Sequence, residues 1–207
     1  MIIIIDADLG NLRNVEKAFQ KLDYAAKISS KISDLKGARA LVLPGVGHFG
    51  KAMENLNRLG LVSIIREKIK EDTICLGICL GMQLFFETSA EAPGVAGLSV
   101  LKGTVKKFSK RIKLKIPQIG WNNLKFSKNK ESIFQGLVDN EMFYFVHSYY
   151  VVPEDKNIII GQTHYGFDFA AAVRSDRLWG VQFHPEKSGA RGLKILDNFG
   201  KICARGR

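Results

Sequence analysis

Hydrophobic residues fall into two rhythms along this chain. In the first two-fifths, short unbroken apolar runs alternate with stretches where apolar residues recur every three or four positions. Ile2–Ile5 is such a run, ended by Asp6. A strand buried on both faces reads this way, as in a parallel sheet. Leu12, Val15, Phe19 and Leu22 follow at helical spacing. Ala40–Leu43, stopped by Pro44-Gly45, predicts a second buried strand. Met53, Leu56 and Leu59 predict a helix, and after Gly60 the spacing of Leu61, Ile64, Ile65 and Ile69 predicts another. Thr73–Ile78 reads as a third strand, with Leu84 and Phe85 on the helix after it. This β-α-β-α order implies an α/β fold: an open, mostly parallel sheet with helices on both faces.

The rhythm then changes. Leu98–Phe108 and Arg111–Ile116 alternate; in the second, Ile112, Leu114 and Ile116 interleave with Arg111, Lys113 and Lys115. A period of two predicts half-buried strands, with Ser109-Lys110 as a turn between them. The expectation is a small antiparallel insertion at about 98–126, flanking the parallel sheet. Phe143–Val146, Ile158–Gly161, Ala170–Val173 and Trp179–Phe183 read as further strands. Leu193, Leu196, Phe199 and Cys203 share one side of a closing helix. With 207 residues, no repeat and no linker, the expectation is one domain over 1–207.

Composition narrows the class. At 46% hydrophobic and 25% charged the chain is too apolar to be disordered. The opening run Met1–Ile5 is too short for a signal peptide or a membrane span, so the chain reads as soluble and cytoplasmic. Three cysteines, an odd number, argue against a disulfide framework. The net charge of +11 is concentrated. Ala92–Lys130 holds no acid, and its ten cations are Lys102, Lys106, Lys107, Lys110, Arg111, Lys113, Lys115, Lys125, Lys128 and Lys130. Such a stretch raises nucleic acid as a partner. However, few aromatics interleave with it and no nucleic-acid motif accompanies it, so a solvated face or a docking surface for an acidic partner is the plainer reading.

The sharpest chemical signal is Gly77-Ile78-Cys79-Leu80-Gly81, where a buried strand passes into a helix. This is the nucleophile-elbow pattern with Cys in the nucleophile position. A sharp turn there brings the residues two positions either side into collision, so glycine suits both. The turn lifts Cys79 to the sheet edge beside a helix N-terminus, which favours a thiolate, and the Leu80 N–H faces the same space. The alternative is a Cys that is only a small buried hydrophobe.

A cysteine nucleophile needs a base. Among His48, His147, His164 and His184, the last opens His184-Pro185-Glu186 after a strand. Residues i and i+2 of an extended segment point the same way, and Pro185 fixes the backbone between them. Glu186 is thus placed to hold the imidazole while its other nitrogen faces the thiol. A capping His-Pro turn is the plain alternative. Cys75 and Cys79 lack the second pair of a metal knuckle, so Cys75 and Cys203 read as core and no metal or cofactor is expected. Pro44-Gly45-Val46-Gly47-His48 follows a strand at the same edge, where two glycines let backbone approach a ligand.

Together these segments resemble the class I, triad-type glutamine amidotransferases, over nearly the whole chain. The likeness rests on Gly77-Ile-Cys-Leu-Gly-Met-Gln83, Pro44-Gly-Val-Gly-His-Phe-Gly50, Gly120-Trp-Asn122, Phe145-Val-His-Ser-Tyr-Tyr150 and His184-Pro-Glu-Lys-Ser188. Within the family they are similar to the histidine-biosynthesis branch. The resemblance implies a Cys79, His184, Glu186 triad. It implies an oxyanion hole from the backbone of Leu80 and of Val46 and Gly47. It implies L-glutamine bound by Gly47, Gln83, His147, Ser148 and Tyr149. Trp121, Asn122, Tyr144 and Lys187 match positions facing a partner, a cyclase subunit with a (β/α)8 barrel that takes the ammonia and makes imidazole glycerol phosphate and AICAR.

Two segments depart from the family pattern. Asp6-Ala-Asp-Leu-Gly-Asn11 stands where Asp-Tyr-Gly-x-Gly-Asn is usual, and Pro117-Gln118-Ile119 where Pro-His-Met is usual. Neither is expected to touch the triad. The rival readings are a paralogous glutaminase feeding another synthetase and, more distantly, a non-catalytic basic binding module.

Overall fold

The computed structural model describes residues 1–126 and 132–205, which leaves Lys128 and Lys130 of the basic stretch outside the described residues. The parallel half runs β1 (Ile2–Ile5), α1 (Leu12–Lys21), β2 (Ala26–Ser29), α2 (Ile32–Lys36), β3 (Ala40–Gly45), α3 (Phe49–Arg58), α4 (Leu61–Lys70), β4 (Ile74–Cys79) and α5 (Leu80–Leu84). A mixed section follows: β5 (Thr88–Ser89), β6 (Gly103–Lys107), β7 (Gln118–Phe126), β8 (Glu141–His147), β9 (Tyr149–Pro153), β10 (Ile159–His164), β11 (Asp168–Ser175) and β12 (Leu178–Val181). Helix α6 (Gly189–Arg205) closes the chain.

Nine of the described strands run in the order β2-β1-β3-β4-β12-β11-β10-β7-β8, and β9, paired with β11, links β6 and β5 to the same sheet. β12 pairs parallel with β4 and antiparallel with β11, so the last strand joins the two halves. Alternation across the pleat explains the unbroken apolar runs. Ile2 and Ile4 face one core with Val15 and Phe19 of α1 and Leu196 and Phe199 of α6; Ile3 and Ile5 face another with Met53 and Leu56 of α3 and Ile64 of α4. Helices therefore cover both faces, as expected.

The middle differs from expectation. Of the Leu98–Phe108 stretch only Gly103–Lys107 is a strand. Before it, the backbone N–H groups of Leu98, Val100 and Leu101 go to the carbonyls of Leu84 and Phe85, tying down the end of α5. Arg111–Ile116 is no strand. Lys110–Ile112 is a 3-10 turn and Lys113 is left-handed at φ 55°, because Leu114 finds no core and stays exposed. The insertion is accordingly no hairpin: β6 pairs with β5 and β9, and β7 with β8 and β10. Strands β2, β5, β7 and β9 and helix α2 add to the expected set.

Candidate active site

The carboxyl ends of β3, β4 and β12 meet at one sheet edge, the usual place for a ligand in an open α/β sheet. Cys79 ends β4 at φ 54°, ψ −107°, a strained conformation for a non-glycine residue. Both flanking glycines are required by contact. A Cβ on Gly81 would lie 1.7 Å from the Leu43 carbonyl oxygen, and one on Gly77 would lie 2.5 Å from the Phe85 ring. The following helix has only five residues, so its end carries little dipole, and support for a thiolate falls on side chains.

His184 and Glu186 are the expected source of that support. His184 Nδ1 and Glu186 Oε1 are 2.7 Å apart, and both side chains are almost wholly buried. Burial disfavours the imidazolium, but the Cys79 sulfur and then Glu186 outweigh it and push His184 up to about 10. His184 Nε2 is buried and makes no well-aligned hydrogen bond. Such a contact is commonly loose until substrate arrives. An imidazolium facing sulfur favours the thiolate.

A cavity of about 450 Å³ opens beside Cys79. Val46, Gly47, Leu80, Gln83, His147, Ser148, Tyr149 and Lys187 all line it, so the structure brings together every expected oxyanion and substrate residue. Their engagements differ. As the first residue of α5, Leu80 has an N–H with no intrahelical partner. The Val46 N–H, by contrast, is given to the Leu9 carbonyl at 3.1 Å and not to the cavity. Gln83 Nε2 donates to the Tyr149 carbonyl at 3.0 Å. His147 uses Nδ1 on the same carbonyl at 2.8 Å and Nε2 on the Gln118 side chain at 3.1 Å. Burial pushes His147 down to about 4, so it is a neutral spacer in the cavity wall.

The partner-facing set divides. Trp121 and Tyr144 sit opposite each other on β7 and β8 with their rings 6.1 Å apart, beside exposed Ile119 and Met142. Asn122 alternates to the other side of β7 and donates to the His164 carbonyl. Lys187 sits on the cavity wall itself.

The sequence motifs missed two residues. Glu91 is the one carboxylate among the cavity-lining residues, and its Oε2 accepts the Phe49 N–H at 2.7 Å. Asn11 donates to Glu186 Oε1 at 2.5 Å. The positions of this segment that depart from the family pattern are Ala7 and Asp8; Asn11, which matches it, is the one that reaches the triad. The chain leaves β1 through a left-handed Asn11, φ 63°, which aims the amide along the sheet edge at Glu186.

Comparison with known proteins agrees with this geometry. The family model for glutamine amidotransferase class-I matches residues 3–203. Imidazole glycerol phosphate synthase subunit HisH of Moorella thermoacetica is 45% identical over 201 residues, 97% of this chain and 94% of the relative. The HisH subunit of Aquifex aeolicus is 46% identical over 198 residues, 95% of this chain and 94% of the relative. In fold, a crystal structure of a glutamine amidotransferase superposes with TM-score 0.77 at 18% identity, covering 99% of this chain and 100% of that one. The structure of PurLQS from Thermotoga maritima does so with TM-score 0.75 at 17% identity, covering 97% of each chain. On the elbow, the paired His and Glu and a family match along nearly its whole length, this chain belongs to the class I glutamine amidotransferases.

Proposed function

We propose that the chain is the glutaminase subunit of an imidazole glycerol phosphate synthase, acting as one amidotransferase unit on the continuous sheet described above. The observation that carries the chemistry is the buried His184–Glu186 pair set against Cys79 at the cavity floor. The Cys79 thiolate attacks the side-chain carboxamide carbon of L-glutamine. The negative charge on the former carbonyl oxygen is met by the Leu80 N–H. His184 gives its proton to the nitrogen as the C–N bond breaks, ammonia leaves and a γ-glutamyl thioester remains. His184 then takes a proton from water as the water attacks the thioester. The C–S bond breaks and glutamate is freed. Glu91 meets the α-ammonium of the substrate, and Gln83, Ser148 and Tyr149 shape the wall around its α-carboxylate.

The Val46 peptide supplies a second oxyanion donor only when it turns away from Leu9. One such donor is worth about 10²–10³ in rate. The cyclase barrel, docking over Trp121 and Tyr144 next to Lys187, is the natural trigger, since ammonia released without it is lost. The location of the activity is the cytoplasm. Among the described residues no helix is long and apolar enough to cross a membrane.

The test is glutamate release from L-glutamine, with and without the cyclase subunit and its nucleotide ligand, with Cys79→Ala as blank. Low activity that rises with the liganded cyclase and vanishes in Cys79→Ala is expected. Cys79-dependent activity with no stimulation points to a different ammonia acceptor.

A further inference from the structure

Gln182 lies just beyond β12, two residues before His184, and is fully buried. A buried amide needs partners at both ends. One end of Gln182 meets Gln83 Nε2 at 3.1 Å, and the other lies 3.6 Å from Cys79 Sγ.

The direction of these bonds follows from one group that only accepts. The Tyr149 carbonyl faces Gln83 at 3.0 Å, so the Gln83 group there is its NH₂. That same NH₂ reaches Gln182, which must offer Oε1. The NH₂ of Gln182 is then left for the sulfur, at a distance suited to so large an acceptor. Cys79 Sγ thus faces the Gln182 donor, with the Val146 carbonyl 3.9 Å away as the competing acceptor of the thiol proton. The ionisable groups around it are His184, backed by Glu186, then His147 on β8, and Glu91 and Lys187 on the cavity wall.

We propose that Gln182 is a positioning residue for the nucleophile: its N–H holds the Cys79 sulfur toward the cavity and favours the thiolate over the thiol bonded to Val146. Through Gln83 and the Tyr149 carbonyl it also ties the sulfur to the wall that receives substrate. The inference rests on Cys79 being the nucleophile.

The experiment compares the full chain with Gln182→Met, which loses both hydrogen bonds, and Gln182→Glu, which keeps the acceptor for Gln83 but not the donor to sulfur. Iodoacetamide alkylation of Cys79 is followed against pH, with Cys79→Ala as the blank for buried Cys75 and Cys203, beside kcat and KM for glutamine. In each folded variant the alkylation midpoint is expected to rise by about one pH unit. The rate at neutral pH and kcat are each expected to fall about tenfold, with KM changed far less. A residue that only fills space would leave the midpoint alone, so an unchanged midpoint and kcat in a folded variant overturn the proposal. In the unsubstituted chain, the Gln182 side-chain NH₂ resonance is expected to titrate with the alkylation midpoint. A flat resonance overturns the proposal whatever the variants do. Glutamine hydrolysis surviving in Cys79→Ala would instead remove the reading of Cys79 on which it stands.

Discussion

Glu186 holds His184 through a 2.7 Å contact, with at most 1% of either side chain exposed. Together with the Cys79 sulfur, the larger influence, Glu186 keeps a proton on the native imidazole well above its ordinary value of 6.5, up to about 10. The native state therefore binds this proton where the unfolded chain has released it. The resulting stability is full below pH 6.5 and is lost as pH rises toward 10. Glu186→Gln is expected to flatten this alkaline decline in urea-unfolding midpoints. It is also expected to lower glutamine hydrolysis by about 10²- to 10⁴-fold. An unchanged alkaline slope would mean that Glu186 does not help hold the proton and that the Cys79 sulfur holds it without Glu186.

His147 governs the acid side. Burial keeps it neutral to about pH 4, while the unfolded chain takes up its proton near 6.5. Stability from this residue is full above 6.5 and falls as pH drops toward 4. His147→Gln, which retains hydrogen-bonding capacity, is expected to shallow that limb. Unfolding midpoints across pH 4 to 6.5 decide it.

Glu91→Gln removes the negative charge expected to meet the α-ammonium of glutamine. KM is expected to rise about tenfold or more while kcat changes little. Since Glu91 also accepts the Phe49 N–H, thermal unfolding must accompany the kinetics. Unaltered KM in a folded variant would place the ammonium elsewhere.

Gly81→Ala puts a methyl group onto the Leu43 carbonyl. Backbone cannot yield as a side chain can. A loss of about 3 kcal/mol in unfolding free energy is expected, with loss of glutaminase activity, because the turn that presents Cys79 must open. A variant of native stability and activity would show that the elbow is not held by this contact.

Trp121→Ala tests the exposed β7–β8 face. Large aromatic anchors dominate many interfaces, and association with the cyclase subunit is expected to weaken about 30-fold. Calorimetric titration measures it, and full affinity would remove this face from the contact.

The parallel core was readable in the sequence because strands buried on both faces admit only apolar residues, as in Ile2–Ile5 and Ile74–Ile78. The elbow was readable because Gly77 and Gly81 answer to steric contacts a few residues away. Strand β7 was obscured because Ile119 and Trp121 point outward with nothing covering them. The alternation of Arg111–Ile116 misled because a period of two requires a neighbouring strand, and none of the described strands pairs with it. Asn11, Glu91 and Gln182 were invisible for another reason. Their partners lie 175, 42 and 103 positions away, a proximity that only the folded sheet creates.

The placement of β12 between β4 and β11 has a bearing on biosynthesis. During synthesis β4 emerges with one edge uncovered, and residues 178–181, which pair with it, follow only after β5 to β11. The segment that seals this edge also carries His184, so on the mechanism proposed above a nascent chain holds its cysteine without a base. Glutamine is safe from wasteful cleavage until the sheet is closed, and a chain cut short before residue 178 is both inert and adhesive.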